Sequence, residues 1–346
     1  MNKTSKATLG ELIEIQRGYD LTQDERQKGS IPVMGAAGQN GFHNKAKSKG
    51  PGVIIGRSGG SYGQIHFVKE DFWPHNTALY VKDFKGNDIN FIYYFLKNLD
   101  FSSFNSGSAQ PSLNRNFIYP IQVNVPIQLV QQKIAAVLSS LDSKIELNNR
   151  INAELEAMAK TLYDYWFVQF DFPCPEPVEG PKTEGKPYKT SGGKMVWNEE
   201  LKREIPEGWE VGELKDIANI TMGQSPPGES YNEEGEGMIF FQGCTDFGNR
   251  FPSVRKFTTQ PTRYSKEGDI LLSVRAPVGT INIAKEDCCI GRGLAALNSK
   301  DNCIAYLFGV MINLKQIFDR RNVDGTTFGS ITKDDLFSLK VVRPDK

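Results

Sequence analysis

The residues from Pro126 to Phe170 constrain the fold of this chain most strongly. The stretch contains no Gly, and Pro126 at its start is the only Pro. A Pro fits the first helical turn, where backbone N–H groups have no helical partner. Apolar side chains recur at heptad spacing, which predicts one long helix that packs against another. The predicted helix–helix or partner interface consists of Ile134, Val137, Leu141, Ile151, Leu155, Met158, Leu162 and Tyr165.

Two heptad positions of this predicted interface hold Lys144 and Asn148 instead. Polar residues at such positions set the register of the pairing. At a rise of 1.5 Å per residue, the helix would extend about 66 Å, so we predict that it joins two domains. An ordinary core helix is the alternative, although ordinary helices average about 11–12 residues.

Composition limits the class of protein. The chain of 346 residues has room for two domains, and its 41 basic and 41 acidic side chains cancel. This balance disfavours a small basic nucleic-acid binder, but a large protein can bind DNA through one basic face. Five Cys without a C-x-x-C pair fit reduced thiols. No apolar segment follows Met1 and no run of 18 apolar residues occurs, so we predict a cytoplasmic protein without signal peptide or membrane span.

The chain repeats its own pattern on either side of the predicted helix. Matched landmarks lie about 205 to 218 residues apart, which indicates two related domains, since solenoid periods are about 20–50 residues. Each copy has an amphipathic turn ending at Gly, a buried strand with a Gly-containing turn, an amphipathic helix and a last strand ending in Pro. The matched segments are Leu9–Gly18 with Leu214–Gly223, Gly52–Gly63 with Gly268–Gly279, Ile89–Leu99 with Cys303–Arg321, and Ser108–Pro126 with Asp324–Pro344.

These patterns predict an α/β (α+β) fold with two similar mixed domains joined by a long coiled-coil-type helix. We expect domain 1 over 1–125, the helix over 126–170, an exposed Pro/Gly-rich connector over 171–208 and domain 2 over 209–344. The first copy leads into the long helix, whereas only two residues follow Pro344. We therefore expect the partner helix to lie beyond residue 346 or on another chain.

Signatures of catalysis are weak in this sequence. Neither Gly-Lys pair belongs to a phosphate-binding loop, G-x-G-x-x-G does not occur, and the three His lack metal-ligand spacing. Asp171, Glu184 and Lys186 have the spacing of some metal-dependent nucleases, which leaves a nuclease as an alternative. Such sites need rigid neighbouring strands, whereas these residues lie in the Pro/Gly-rich connector. We therefore predict no catalytic residue and no metal ligand.

Polar loops near the Gly turns give both copies side chains suited to DNA. Arg pairs with guanine edges, Asn and Gln with adenine, and Ser or Thr with bases or phosphates. Lys side chains can follow the phosphate backbone. For any one residue, a solvated surface role is the alternative. The predicted DNA-binding residues are Lys45, Lys47, Arg57, Ser58, Ser61, Tyr62, Gln64, Asn76, Ser108, Gln110, Ser112, Asn114 and Arg115 in the first copy, and Gln224, Ser225, Gln242, Arg275, Arg292, Thr326, Thr327 and Ser330 in the second.

Three segments resemble the DNA-specificity subunit of type I restriction–modification systems. They are Gln131–Asn149 (QQKIAAVLSSLDSKIELNN), Leu162–Phe172 (LYDYWFVQFDF) and Ile205–Val211 (IPEGWEV). The resemblance spans the whole chain and includes its domain order.

The resemblance implies two target-recognition domains that each read one half of a split double-stranded DNA sequence, separated by paired long helices. It implies a non-catalytic subunit that binds two methyltransferase subunits and recruits restriction (motor–nuclease) subunits. S-adenosylmethionine, ATP and Mg would belong to those partners, and no cofactor is expected in this chain. Self-association or a second specificity fragment would supply the partner helix. A coiled-coil scaffold whose globular ends bind protein is a further alternative, which a lack of salt-dependent DNA affinity would favour.

Overall fold

A computed structural model of the protein describes residues 4–105, 111–173, 185–323 and 330–344. The chain divides into two compact units, unit 1 (Met1–Asn152) and unit 2 (Ala153–Lys346). The predicted mixed α/β architecture is confirmed, and a long helix joins the two units.

Unit 1 contains three small sheets and the start of the long helix. The sheet orders are β2-β8-β5-β6, β4-β3-β7 and β1-β9, and all pairs are antiparallel except β3 with β7. The strands are β1 (Thr4–Thr8), β2 (Glu14–Arg17), β3 (Ile31–Gly35), β4 (Gly38–His43), β5 (Gly52–Gly56), β6 (Ile65–Val68), β7 (Trp73–Pro74), β8 (Ala78–Asp83) and β9 (Gln122–Pro126). The helices are α1 (Leu9–Leu12), α2 (Ile89–Lys97), α3 (Arg115–Ile118) and the first part of α4 (Gln128–Tyr163).

Unit 2 contains the end of α4 and a second set of sheets. Their orders are β13-β21-β18-β19, β14-β16-β15-β20-β17, β12-β22 and β10-β11. The strands are β10 (Met195–Asn198), β11 (Arg203–Pro206), β12 (Glu210–Glu213), β13 (Ala218–Met222), β14 (Tyr231–Asn232), β15 (Met238–Phe241), β16 (Phe257–Thr258), β17 (Tyr264–Ser265), β18 (Ile270–Ser273), β19 (Ile281–Ile283), β20 (Cys288–Ile290), β21 (Leu294–Ser299) and β22 (Lys340–Arg343). The further helices are α5 (Leu214–Ile217), α6 (Ile304–Val323) and α7 (Lys333–Phe337).

The predicted internal repeat is confirmed by the topology of the units. The sheet β2-β8-β5-β6 has the same order and direction as β13-β21-β18-β19. The parallel pair β3·β7 matches β15·β20, and the antiparallel pair β1·β9 matches β12·β22. Short helices follow β1 and β12 at the same place, α1 and α5. The two copies therefore share one framework, and functional differences between them must come from loops and exposed side chains.

The central strand of each unit is buried on both faces. In β5, Val53 and Ile55 pack with the core under α2, while Ile54 packs with a cluster on the opposite face of the sheet. In β18, Ile270 and Leu272 alternate with Leu271 in the same way. Because successive side chains of a strand point to opposite faces, a strand covered on both sides reads as a continuous apolar run. The loops that follow these two strands contain several of the predicted DNA-binding residues.

The long helix begins against unit 1 through one buried polar side chain. Gln131, in the first turns of α4, donates from Nε2 to Pro126 O at 2.9 Å and to Asn87 Oδ1 at 2.8 Å. Its Oε1 accepts from Asp88 N at 3.0 Å, next to the N-terminus of α2. Each bond satisfies a polar group that burial would otherwise leave unpaired. Gln131 therefore fixes the start of α4 relative to α2.

The end of the helix differs from the predicted bounds. The regular helix ends at Tyr163, and a wider helical turn follows over Asp164–Val168, whereas we expected a helix to residue 170. Phe167 of that turn packs 4.8 Å from Tyr306 and 6.0 Å from Trp209, measured between ring centroids. Tertiary packing of aromatic rings within unit 2 therefore reshapes the last turn.

The predicted apolar seam of α4 is exposed along the helix. The exposed fraction of the side chains is 62% for Val137, 51% for Leu141, 57% for Leu155 and 67% for Met158. Ile134, Ile151 and Leu162 are exposed as well, and Tyr165 is half-buried. An exposed apolar surface of this kind is typical of a protein–protein contact.

The segment predicted as an exposed connector is partly a folded element. Its described part contains the hairpin β10–β11, and Phe172 stacks between Tyr188 at 4.7 Å and Trp209 at 4.9 Å. Asp171 is buried and accepts a hydrogen bond from Thr190 N at 2.8 Å. The Pro/Gly-rich composition concealed these pairings, because the aromatic partners of Phe172 lie far from it in sequence, at Tyr188 and Trp209. Within the part of the chain that the structure describes, no helix has the length and apolarity needed to cross a bilayer.

Candidate nucleic-acid interface

Three loops of unit 1 meet at the end of β5. Leu113 N donates to Arg57 O at 2.8 Å, and Ser58 and Ser112 form an antiparallel bridge. Arg57 N also donates to Thr77 O at 3.0 Å, which brings in the turn between β7 and β8. Residues distant in sequence are thus held together by backbone hydrogen bonds.

The equivalent loops of unit 2 meet at the end of β18. Ile331 N donates to Val274 O at 2.8 Å, and Arg275 and Ser330 form an antiparallel bridge. Val274 N donates to Gly293 O at 2.9 Å. The backbone contacts therefore repeat those of unit 1. At the bridge position, however, unit 2 carries an exposed guanidinium where unit 1 carries a hydroxyl.

A glycine in each unit permits a close backbone crossing beside these loops. A Cβ atom added to Gly18 would lie 2.1 Å from His75 O, and one added to Gly223 would lie 2.2 Å from Gly291 O. Any larger residue would push the two chain segments apart. The crossing brings the residues after each glycine against the turn that precedes β8 or β21.

Different side chains occupy this matched crossing in the two units. In unit 1, Asn76 Nδ2 donates to Asp20 Oδ1. In unit 2, Arg292 N donates to Ser225 Oγ at 3.4 Å, and Gln242 Nε2 donates to the same oxygen at 2.9 Å. An acid–amide pair therefore stands where the other unit has a hydroxyl, an amide and an exposed guanidinium.

An open cleft of about 460 Å³ lies beside the converging loops of unit 1. Its walls are formed by residues 35–40, where β3 turns into β4, by Ser58, Gly60 and Ser61, and by Thr77. The lining consists of backbone and small polar groups, which can hydrogen-bond base edges or phosphate oxygens. Of the predicted DNA-binding residues, Ser58 and Ser61 line this cleft.

The predicted basic residues of unit 1 lie in the loop between β4 and β5. Lys45 and Lys47 are exposed. The Lys47 ammonium lies 5.6 Å from the ring centroid of Tyr19 and 5.2 Å from that of Trp73. The two rings hold this exposed cation at the surface of unit 1, where it can meet a phosphate.

Other predicted residues have structural contacts. The Tyr62 hydroxyl donates to Phe101 O at 2.7 Å, and burial raises the pKa of Tyr62. Asn114 caps α3, and Arg115 Nη1 donates to Ile15 O at 3.0 Å. These three side chains hold the loops in place. Gln64 is exposed just past the turn, and Gln224 is exposed beside Ser225.

Four predicted residues, Ser108, Gln110, Thr326 and Thr327, lie outside the described residues. Asp20 was missed, since an acid gave no sign of DNA binding on its own. The repeat contained a usable signal, because Asp20 follows Gly18 as Ser225 follows Gly223. Aligning the two copies would have placed Asp20 opposite a residue that we had predicted.

The alternative nuclease triad is not assembled in the described part of the chain. Asp171 is buried and bonded to Thr190 N, Lys186 is exposed, and Glu184 lies outside the described residues. Among the described residues there is no group of three or more His, Cys, Asp or Glu side chains placed to hold a metal ion.

The chain is similar in sequence to known proteins. The chain is 37% identical over 239 residues to the type I restriction enzyme MjaX specificity subunit of Methanocaldococcus jannaschii, covering 68% of this chain and 51% of that protein. It is 33% identical over 180 residues to the MjaIX specificity subunit of the same organism, covering 51% of this chain and 38% of that protein. The chain thus spans about half the length, or less, of these curated relatives.

A solved structure shares the fold. The crystal structure of a type I restriction–modification S subunit from M. genitalium superposes with a TM-score of 0.63 and 17% sequence identity, covering 99% of this chain and 85% of that one. Residues 1–157 and 206–346 each match the type I restriction modification DNA specificity domain. The protein therefore belongs to the type I restriction–modification DNA specificity family.

Proposed function

We propose that this chain is the non-catalytic DNA-specificity subunit of a type I restriction–modification complex. Residues 1–125 and 209–344 are the two reading domains, each responsible for one half of a split sequence. One observation carries the proposal: the two units repeat the same loop contacts, while the side chains at those contacts differ, as at Ser58 and Arg275. Two readers of different base sequences on one scaffold require this combination.

The proposed partners are those of a type I restriction–modification complex. Double-stranded DNA is the ligand, two methyltransferase subunits carry out adenine methylation, and restriction subunits join for cleavage. S-adenosylmethionine, ATP and Mg belong to those subunits. The balanced charge of this chain is compatible with the role, because the partners would share the contacts with DNA phosphates.

A further partner covers the exposed seam of α4. The heptad spacing of Val137, Leu141, Ile151 and Leu155 suits a second long helix with the same spacing, and their exposure leaves room for it. A second copy of this chain, or a separate specificity fragment, would supply that helix.

Replacing both Lys45 and Lys47 with alanine is expected to weaken DNA binding without changing base preference. Each phosphate contact contributes about 0.9 to the slope of log affinity against log salt concentration, so the slope should decrease in magnitude by about 2. The measurement is DNA affinity of the chain in complex with its methyltransferase subunit across a salt series.

The matched control replaces Lys186 and Lys189, two exposed lysines of the connector, and should leave the slope unchanged. An equal decrease for both double variants would mean that the effect follows net charge alone. A wild-type complex without salt-dependent DNA affinity would contradict the proposed function and favour a protein scaffold.

A further inference from the structure

The hydrogen bond between Asp20 and Asn76 gives the amide of Asn76 a defined direction. An ionised carboxylate only accepts hydrogen bonds, so the NH₂ group of Asn76, and not its oxygen, must face Asp20. One N–H of Asn76 is used in this bond. Among the described residues no other hydrogen bond involves the side-chain amide, so its second N–H and its Oδ1 remain for a ligand.

This arrangement matches the major-groove edge of adenine. Adenine presents an acceptor at N7 beside a donor at N6, and an asparagine amide reads both at once by donating from Nδ2 and accepting at Oδ1. Only one orientation of the amide pairs correctly, and Asp20 selects the orientation of Nδ2. We propose that Asn76 reads an adenine in the half-site of unit 1, and that Asp20 is the positioning residue that orients it. This inference rests on the proposed function.

The surroundings of the pair support a DNA contact. The backbone oxygen of Asn76 accepts from Arg57 Nη1 at 3.1 Å, which fixes the turn that carries the amide. Arg17 Nη2 lies 3.3 Å from Asp20 Oδ1, and Lys47 is held over the adjoining Tyr19 ring. The Arg17 guanidinium thus offsets the charge of the carboxylate, which would otherwise repel DNA phosphates. The Asp20 side chain is 74% exposed, so the pair is reachable from solvent.

In unit 2, the position that matches Asp20 is occupied by Ser225. The Ser225 hydroxyl oxygen accepts hydrogen bonds from the backbone N–H of Arg292 and from the side-chain amide of Gln242. The Arg292 side chain is exposed, and a guanidinium is the common partner of guanine O6 and N7. A carboxylate at position 225 would pair with that guanidinium and compete with the base. The acid Asp20 is therefore present beside Asn76 in unit 1, and no acid occupies the matched position beside Arg292 in unit 2.

The test compares Asp20→Asn with Asp24→Asn in the complex with the methyltransferase subunit. An asparagine at position 20 can donate or accept, so it no longer selects the orientation of the Asn76 amide. The control, Asp24→Asn, removes the same charge from an exposed residue four positions away in sequence. The readout is methylation of oligonucleotides that carry each of the four bases at every specified position. We expect Asp20→Asn to reduce the preference for adenine about tenfold at a single position, and Asn76→Ala to act at that same position. Asp24→Asn should behave as wild type.

Three results would overturn the inference while leaving the proposed function intact. The first is a uniform loss of methylation with unchanged base preference. The second is an altered preference at a cytosine, which would mean that Asp20 contacts the base itself. The third is an altered base preference in the half-site assigned to unit 2. If the wild-type complex methylates no split sequence, the proposed function fails and this inference fails with it. Retention of the adenine preference by Asp20→Glu, which keeps the acceptor, would add support.

Discussion

Replacing Arg275 with alanine is expected to relax base preference at one position in one half of the recognised sequence and to leave the other half unchanged. Arg275 is exposed at the end of β18, where its backbone pairs with Ser330. A bidentate arginine–guanine contact contributes about 1–3 kcal/mol to discrimination, which corresponds to about 5- to 150-fold. Methylation of a panel of single-base variants of the target measures the effect.

The reciprocal variant lies in unit 1. Ser58 occupies the matched bridge position, so Ser58→Ala should alter only the other half of the sequence, and by less, because a hydroxyl makes a single hydrogen bond. Loss of preference in both halves after Arg275→Ala would contradict the assignment of one half to each unit. A uniform loss of affinity would reduce Arg275 to a phosphate contact.

Truncating Leu141 to alanine is expected to weaken association through α4 about 30-fold and to leave base preference unchanged. Leu141 is 51% exposed in the isolated chain, and burying a leucine contributes roughly 2 kcal/mol. Alanine favours the helix, so α4 itself should persist. Sedimentation over a concentration series measures the dissociation constant, and methylation of target variants checks base preference.

Ser143→Ala is the matched control, because Ser143 is exposed on the same helix away from the heptad positions. It should leave association unchanged. Equal dissociation constants for the wild type and Leu141→Ala would contradict pairing through α4. A wild-type protein that has the mass of a monomer at every concentration would contradict it as well.

The sequence predicted those features that depend on local pattern. Heptad spacing indicated α4, and continuous apolar runs flanked by Gly indicated β5 and β18 in both copies. The end of α4 was misplaced because Tyr163 and Phe167 pack on Tyr306, a contact between residues far apart in sequence. The hairpin β10–β11 was missed because a Pro/Gly-rich composition favours a connector unless its aromatic partners are known.

In the candidate site as well, features that depend on local sequence were predicted and features that depend on distant contacts were not. Ser58 and Arg275 were predicted from their residue types beside a Gly turn, and the structure adds that each is bridged to a loop residue that was predicted with it. Asp20 and Asn76 are 56 positions apart, and a hydrogen bond over that separation is not readable from local sequence. The structural roles of Tyr62 and Arg115 also depend on distant carbonyl groups, which residue type alone does not reveal.

Mapping methylated adenines tests the central claim most directly. The chain would be expressed with its methyltransferase subunit in a host without adenine methylation, and every modified adenine would be located in the genome. Two units that read different sequences predict a split motif, with two short and different blocks around an unspecified gap of fixed length. A single continuous motif, or no modified adenine although the complex assembles, would contradict the claim that each unit reads one half.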